Sequence, residues 1–256
     1  DGTMILWDAH NGTQLATLEG VTGTVHGGAF SPDGKTLATG SWNGAVILWN
    51  VRSGEQIATL EGHTGEVISV AFSPDGETIA SGSMYDTVVL LYDMRSGERI
   101  STLKGHTGNV NSVVFSPDGE ILASGSHDNT VILWDARSGD GLATLEGHTG
   151  EVISVTFSLD SETIASLTIV SQSDDRTVTL WNTRNGEQLA TLKGFTETVR
   201  SVAFSPDGGT LASGSDETVI LWDAHSGSQL ATLKGHNDFV ESVAFSPDGE
   251  SLASGS

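Results

Sequence analysis

A histidine, a serine and an aspartate stand at His106, Ser124 and Asp128, with an indole following at Trp134. These are the side chains that acyl transfer uses: a hydroxyl nucleophile, an imidazole base and a carboxylate that fixes the imidazole tautomer. The set is not single, however. His63, Ser81 and Asp86 precede Tyr92, and His148 and Asp175 precede Trp181, with Ser166 or Ser171 as the hydroxyl. His236 and Ser254 near one terminus match Asp1 and Trp7 near the other. An enzyme rarely carries its triad several times over, whereas a structural network recurs with its scaffold. An indole N–H only donates, a hydroxyl both donates and accepts, and a buried imidazole needs an acceptor to settle its tautomer. The four can therefore satisfy one another inside a fold. They also decay piecemeal, to Val21, Thr39, Asn43 and Trp49 in one copy and to Phe195, Ser213, Asp216 and Trp222 in another. The expectation is a structural role and no catalytic residue.

Other chemistries find no support. The 8 histidines are scattered singly, without metal-ligand spacing. Asp174 and Asp175 form a carboxylate pair, but one belongs to the network and the other to a bend. No glycine pattern opens a helix, so the 32 glycines read as turn formers and not as phosphate cradles. The absence of cysteine removes disulfides, thiol catalysis and thiolate metal sites. Neither a metal nor a cofactor is expected, and the chain reads as a non-enzyme.

The elements that position these residues come from a repeat. Its opening glycine falls at Gly20, Gly62, Gly105, Gly147, Gly194 and Gly235, in steps of 42, 43, 42, 47 and 41 residues. The remainder, from Gly235 to the end and on to Gly20, is 41 more. In the clearest copy, Gly105 to Glu146, the runs Val110–Phe115, Ile121–Ser124, Thr130–Trp134 and Leu142–Leu145 have the composition of short strands. Ser116-Pro117-Asp118-Gly119, Asp128-Asn129 and Ser138-Gly139 supply the bends between them. Both faces of such a sheet are apolar, so neighbouring copies must cover them. The fourth unit is longer by the β-prone insertion Leu167-Thr168-Ile169-Val170-Ser171, read as an extension of two strands in preference to an association edge.

Gly-His, the Leu-Ala-Ser-Gly-Ser strand and Trp-Asp at these offsets resemble the WD-repeat family over essentially the whole chain. The copies are similar to bacterial-type arrays of near-identical repeats. The resemblance implies an all-β fold: a six-bladed β-propeller of four-stranded antiparallel blades spanning 1–256 as a single domain. It further implies a ring closed by pairing the N- and C-terminal strands in one blade, Thr3–Leu18 giving the outer two and Val240–Ser254 the inner two. Six blades are fewer than the family's usual seven. A fragment of a longer array with a structural or assembly role is the alternative, and the 41-residue wrap favours the ring.

Charge and aromatics bear on partners. Eleven lysines and arginines against 33 aspartates and glutamates give a net charge of −22, which repels nucleic-acid phosphates and anionic membrane surfaces. No apolar run approaches the roughly 20 residues of a membrane span, and no targeting signal is visible, so a cytoplasmic location is expected. Six phenylalanines share one strand position, and five tryptophans with Tyr92 share the Trp-Asp position. Trp42, Tyr85, Phe195 and Phe239 remain, and Phe195 stands where histidine recurs. Trp42, Tyr85 and Phe239, with His127 and Arg200, fall in segments at one end of the blades, the face the family most often uses, near the channel mouth. The expectation is a protein-interaction scaffold binding a basic or amphipathic peptide or protein loop through these five residues. A small-molecule or carbohydrate-binding propeller, with Trp42 as a stacking plate, is the alternative. The oligomeric state is not legible.

Overall fold

A computed structural model describes residues 4–18, 27–169, 177–195 and 198–256, and every regular element among them is a strand. β1 (Met4–Trp7) and β2 (Gln14–Leu18) form an antiparallel pair. The first full sheet holds β3 (Gly28–Phe30), β4 (Thr36–Gly40), β5 (Ala45–Asn50) and β6 (Gln56–Glu61). The second holds β7 (Val67–Phe72), β8 (Thr78–Ser83), β9 (Val88–Asp93) and β10 (Arg99–Lys104). The third holds β11 (Val110–Phe115), β12 (Ile121–Ser126), β13 (Val131–Asp135) and β14 (Gly141–Leu145). The fourth holds β15 (Glu151–Phe157), β16 (Thr163–Ile169), β17 (Val178–Asn182) and β18 (Gln188–Leu192). The fifth holds β19 (Val199–Phe204), β20 (Thr210–Ser215), β21 (Thr218–Asp223) and β22 (Gln229–Lys234). A last pair joins β23 (Ser242–Phe245) to β24 (Leu252–Gly255).

Local chemistry makes the turns. In the third sheet Gly119 adopts φ +75° and its N–H donates to the Ser116 carbonyl at 2.8–2.9 Å spacing typical of the series, here 2.9 Å. The Ser116 hydroxyl donates to Asp118 Oδ1 (2.5 Å) and accepts the Ile121 N–H (2.9 Å). At the next bend on the same end, Asp135 Oδ1 accepts the N–H groups of Arg137 (3.0 Å) and Ser138 (2.7 Å). The Trp-Asp dipeptide thus divides its labour: the indole points inward and the carboxylate caps a turn.

No sheet has a core of its own. Ala80, Val89, Leu91 and Leu103 of the second sheet bury themselves against Val110, Val113, Phe115 and Trp134 of the third. Equivalent clusters fill the spaces between first and second, third and fourth, and fourth and fifth sheets. Close stacking depends on the glycine of the second strand. A Cβ on Gly125 would meet Val152 Cγ1 of the next sheet at 2.6 Å, and one on Gly82 would meet Val110 Cγ1 at 2.7 Å. In the fourth sheet Leu167 holds that ladder position, opposite Ser154, and is buried with Val199 between fourth and fifth sheets. The expected lengthening is present there: β15 and β16 each run seven residues. Val170 and Ser171 lie outside the described residues.

The all-β, six-repeat propeller architecture stands, and the expected pairing of β1 with β24 that would close the ring is not shown among the described residues. Among the described residues β1 is bonded to β2 alone and β24 to β23 alone. Each half is held by its own neighbour instead. Leu6 and Leu18 pack on Leu37, Ile47 and Trp49, while Val240 and Val243 pack on Ala212 and Val219. The seam is visible in exposure: Trp7 is 58% exposed where Trp134 is 3%, and Leu233 is 43% exposed where Leu192 is 1%.

If glycine at the second-strand position permits the stacking, Gly125→Val should cost about 1–3 kcal/mol through overpacking against Val152. Calorimetry is expected to show a lowered Tm, and an unchanged Tm would contradict this packing.

Candidate functional site

The third sheet forms the predicted network in full. His106 Nδ1 donates to Asp128 Oδ2 (2.9 Å), Ser124 Oγ donates to His106 Nε2 (2.7 Å), and Trp134 Nε1 donates to Ser124 Oγ (2.8 Å). The Thr107 N–H (2.8 Å) and the Thr130 hydroxyl (2.6 Å) complete the carboxylate. The wire runs indole to hydroxyl to imidazole to carboxylate, the tautomer a catalytic triad would also use. It is nevertheless sealed: Ser124 is fully buried and already accepts the indole proton, so no acyl group can reach it. Burial depresses the His106 pKa against the pull of Asp128, leaving a neutral ring. Burial works to raise Asp128, but hydrogen bonds from Thr130 and Thr107 and the nearby His106 outweigh it and hold its carboxyl at about 2.

The other copies follow their sequences. In the second sheet His63 bonds Asp86 (3.0 Å) and Ser81 (2.8 Å), and Tyr92 instead donates its hydroxyl to the Glu61 carbonyl (3.4 Å). In the fourth, Ser166 is the hydroxyl, meeting His148 (2.7 Å) and Trp181 (2.8 Å), while Ser171 and Asp175 lie outside the described residues. Trp49 donates to Thr39 (2.8 Å) in the first sheet, where Val21 lies outside the described residues. In the fifth, Trp222 donates to Ser213 (2.8 Å), and Phe195 packs on Trp222 with ring centroids 5.5 Å apart. His236 reaches Ser254 (2.7 Å), but Trp7 stays across the seam and Asp1 is outside the described residues.

Side chains the scaffold does not consume lie at the opposite end from the Ser-Pro-Asp-Gly turns. Trp42, Tyr85 and His127 occupy the bends between second and third strands of consecutive sheets, while Arg200 lies on β19 and Phe239 just before β23. The ladders put those bends beside the first-strand starts, as in Val67 opposite Ser83 and Val199 opposite Ser215. The structure divides the five. The Arg200 guanidinium lies over the Phe239 ring, 4.4 Å from its centroid, and pairs with Glu241 (2.9 Å). His127 pairs with Glu151 on the next sheet (2.7 Å). Arg200, Phe239 and His127 therefore clasp neighbouring units. Trp42 and Tyr85 project, at 65% and 80% exposure. Tyr85 sits at φ +68°, its N–H donating to Asn109 Oδ1 (3.1 Å).

Trp42 and Tyr85 flank one short segment. The bend ending at Gly44 rests on the carbonyls of His63 and Gly65, and Gly65 lies against Met84 and Tyr85. Met84, half-exposed, joins this patch and was not expected from the sequence, although it interrupts the repeat's usual polar bend. Glu241 was also missed; it stands 41 residues after Arg200, at the same position of the next unit, and that charge reversal was readable by superposing the repeats. Among the described residues no group of three histidine, cysteine or carboxylate side chains could hold a metal.

The family model for the WD domain, G-beta repeat, matches residues 12–50, 54–93, 97–135, 139–182, 186–223 and 227–256. No curated protein matches the chain.

The buried histidines imply acid lability. His63 and His106 both have pKa values lowered by burial from the ordinary 6.5, so the folded protein binds protons less readily than the unfolded chain. Their contribution to stability is complete above 6.5 and is lost as pH falls through that value toward the depressed folded ones. Thermal melts are expected to show Tm falling between pH 7 and pH 5, with a shallower slope in His106→Gln; equal slopes in the two proteins would contradict the assignment.

Proposed function

The chain belongs to the WD-repeat family, whose repeats generally serve as protein-interaction scaffolds, and from that premise we propose that it binds a peptide or protein loop through Trp42, Met84 and Tyr85. The observation that carries this reading is that two large aromatics on consecutive units stay exposed beside one segment, at positions that neither the network nor the clusters between sheets use. Tyrosine and tryptophan are common interface anchors because they offer large rigid contact areas with a polar handle. The net charge of −22 favours a basic or amphipathic partner by electrostatic steering. Arg200, Phe239 and His127 shape the rim of the same end by bracing neighbouring units. The sealed serines support a non-catalytic role. No helix among the described residues is long and apolar enough to cross a membrane.

The test is a peptide-display selection followed by calorimetric titration of the selected peptides. Trp42→Ala, Tyr85→Ala is expected to weaken binding by about tenfold or more, the range of anchor residues. Tm should stay unchanged, since both side chains are exposed. Equal affinity in the double variant would remove this face from consideration.

A further inference from the structure

The outer strand of every sheet carries one residue with no ladder partner. Trp134 pairs with Gly141 and Leu133 with Ala143, which leaves Leu142 as the extra residue of a β-bulge. The same slip isolates Leu15, Ile57, Ile100, Leu189 and Leu230. All six are leucine or isoleucine, and all six are exposed. A bulge on an outer strand blunts an edge that would otherwise recruit another strand. That duty asks only for backbone geometry, and a polar side chain would meet it at no loss of core.

At Ile100 the bulge borders a hollow. It lies between the second and third sheets, encloses about 390 Å³, and has Leu91, Ile100, Phe115 and Ala136 among its lining. Its other walls come from the Ser-Pro-Asp-Gly turns and the bend after Trp134, so it opens at the far end of the sheets from Trp42 and Tyr85. A second hollow adjoins it and shares Asp75, Gly119 and Arg137. Around the two, Asp75, Glu77, Asp118, Glu120 and Asp135 face a single cation, Arg137. Asp75 is held ionised chiefly by the Ser73 hydroxyl, and Asp135 by the Ser138 N–H. Ile100, an exposed apolar side chain in an otherwise largely polar lining, set inside an excess of fixed negative charge, favours an apolar side chain flanked by cations.

We propose that this hollow is a second docking site, taking one leucine-sized side chain of a partner peptide whose neighbouring residues are lysines. The bulge supplies Ile100 as the apolar contact, and Glu77 and Glu120 on the turns receive the flanking ammonium groups. The site is independent of the aromatic patch at the other end.

Two dye-labelled probes test it by fluorescence anisotropy at low salt: acetyl-Lys-Lys-Leu-Lys-Lys-amide, and the same peptide with glycine for leucine. The leucine probe is expected to bind at least fivefold more tightly than the glycine probe. Ile100→Ser should abolish that difference, and Glu77→Gln, Glu120→Gln should weaken both probes and flatten their salt dependence. Ile57→Ser, the same change one unit earlier, and Trp42→Ala, Tyr85→Ala should leave the preference intact. Ile100 is 58% exposed, so Ile100→Ser is expected to melt like the parent protein. Equal binding of the two probes, or a leucine preference that survives Ile100→Ser, would overturn the proposal. A preference lost only in Trp42→Ala, Tyr85→Ala would overturn it too, and would assign the peptide to the aromatic end.

Discussion

Every sheet in this protein has two apolar faces and can bury them only against its neighbours. That single constraint accounts for most of what each residue in the unit does. The valines at or just beside the starts of the first strands, Val67, Val110, Val152 and Val240, are all fully buried because the preceding sheet's second strand closes over them. A glycine at positions 82, 125 and 214 makes room for that contact, and Leu167 fills the space in the one sheet that lacks it. Stability in such an array is a sum over interfaces and not a property of any one sheet.

The polar network answers a second need created by the same stacking. Packing the second and third strands deep in a sheet carries a hydroxyl and an indole N–H away from water, and unpaired they would be costly. Histidine and aspartate link those groups to the bend at the sheet's end, which ties a surface loop to the interior. This is why a constellation with triad chemistry is inert here: its serine is spent on the indole, and its imidazole is wedged beside the tryptophan ring, 6.4 Å between centroids. Side chains that neither stacking nor the network requires, such as Trp42 and Tyr85, stay exposed at the bends between second and third strands.

Much of this was legible because the determining contacts lie within one unit. His106, Ser124, Asp128 and Trp134 fall inside 29 residues, so the repeat displays their spacing directly. The choice between Ser166 and Ser171 was not legible, since the insertion shifts the spacing and only the ladder, with Ser166 opposite Thr179, selects one. Contacts between units were harder still. Arg200 and Phe239 looked like two free anchors, and their cation–π contact appears only when the fifth sheet and the segment leading into β23 are placed side by side. The outer bulges were invisible, because Gln-Leu-Ala-Thr-Leu reads as an ordinary strand until its partner's register is known. The wrap of the repeat predicted a closed sixth sheet; among the described residues each half is seen packed on its own neighbour, and the pairing between the halves is not shown.

Amide hydrogen exchange followed by mass spectrometry tests the dependence of each sheet on its neighbours most directly. Strands of the second to fourth sheets, covered on both faces, are expected to exchange slowest, with β1–β2 and β23–β24, each covered on one face, exchanging fastest. Protection of the terminal pairs equal to that of the third sheet would contradict the account, because it would mean that those pairs find cover the described interfaces do not provide.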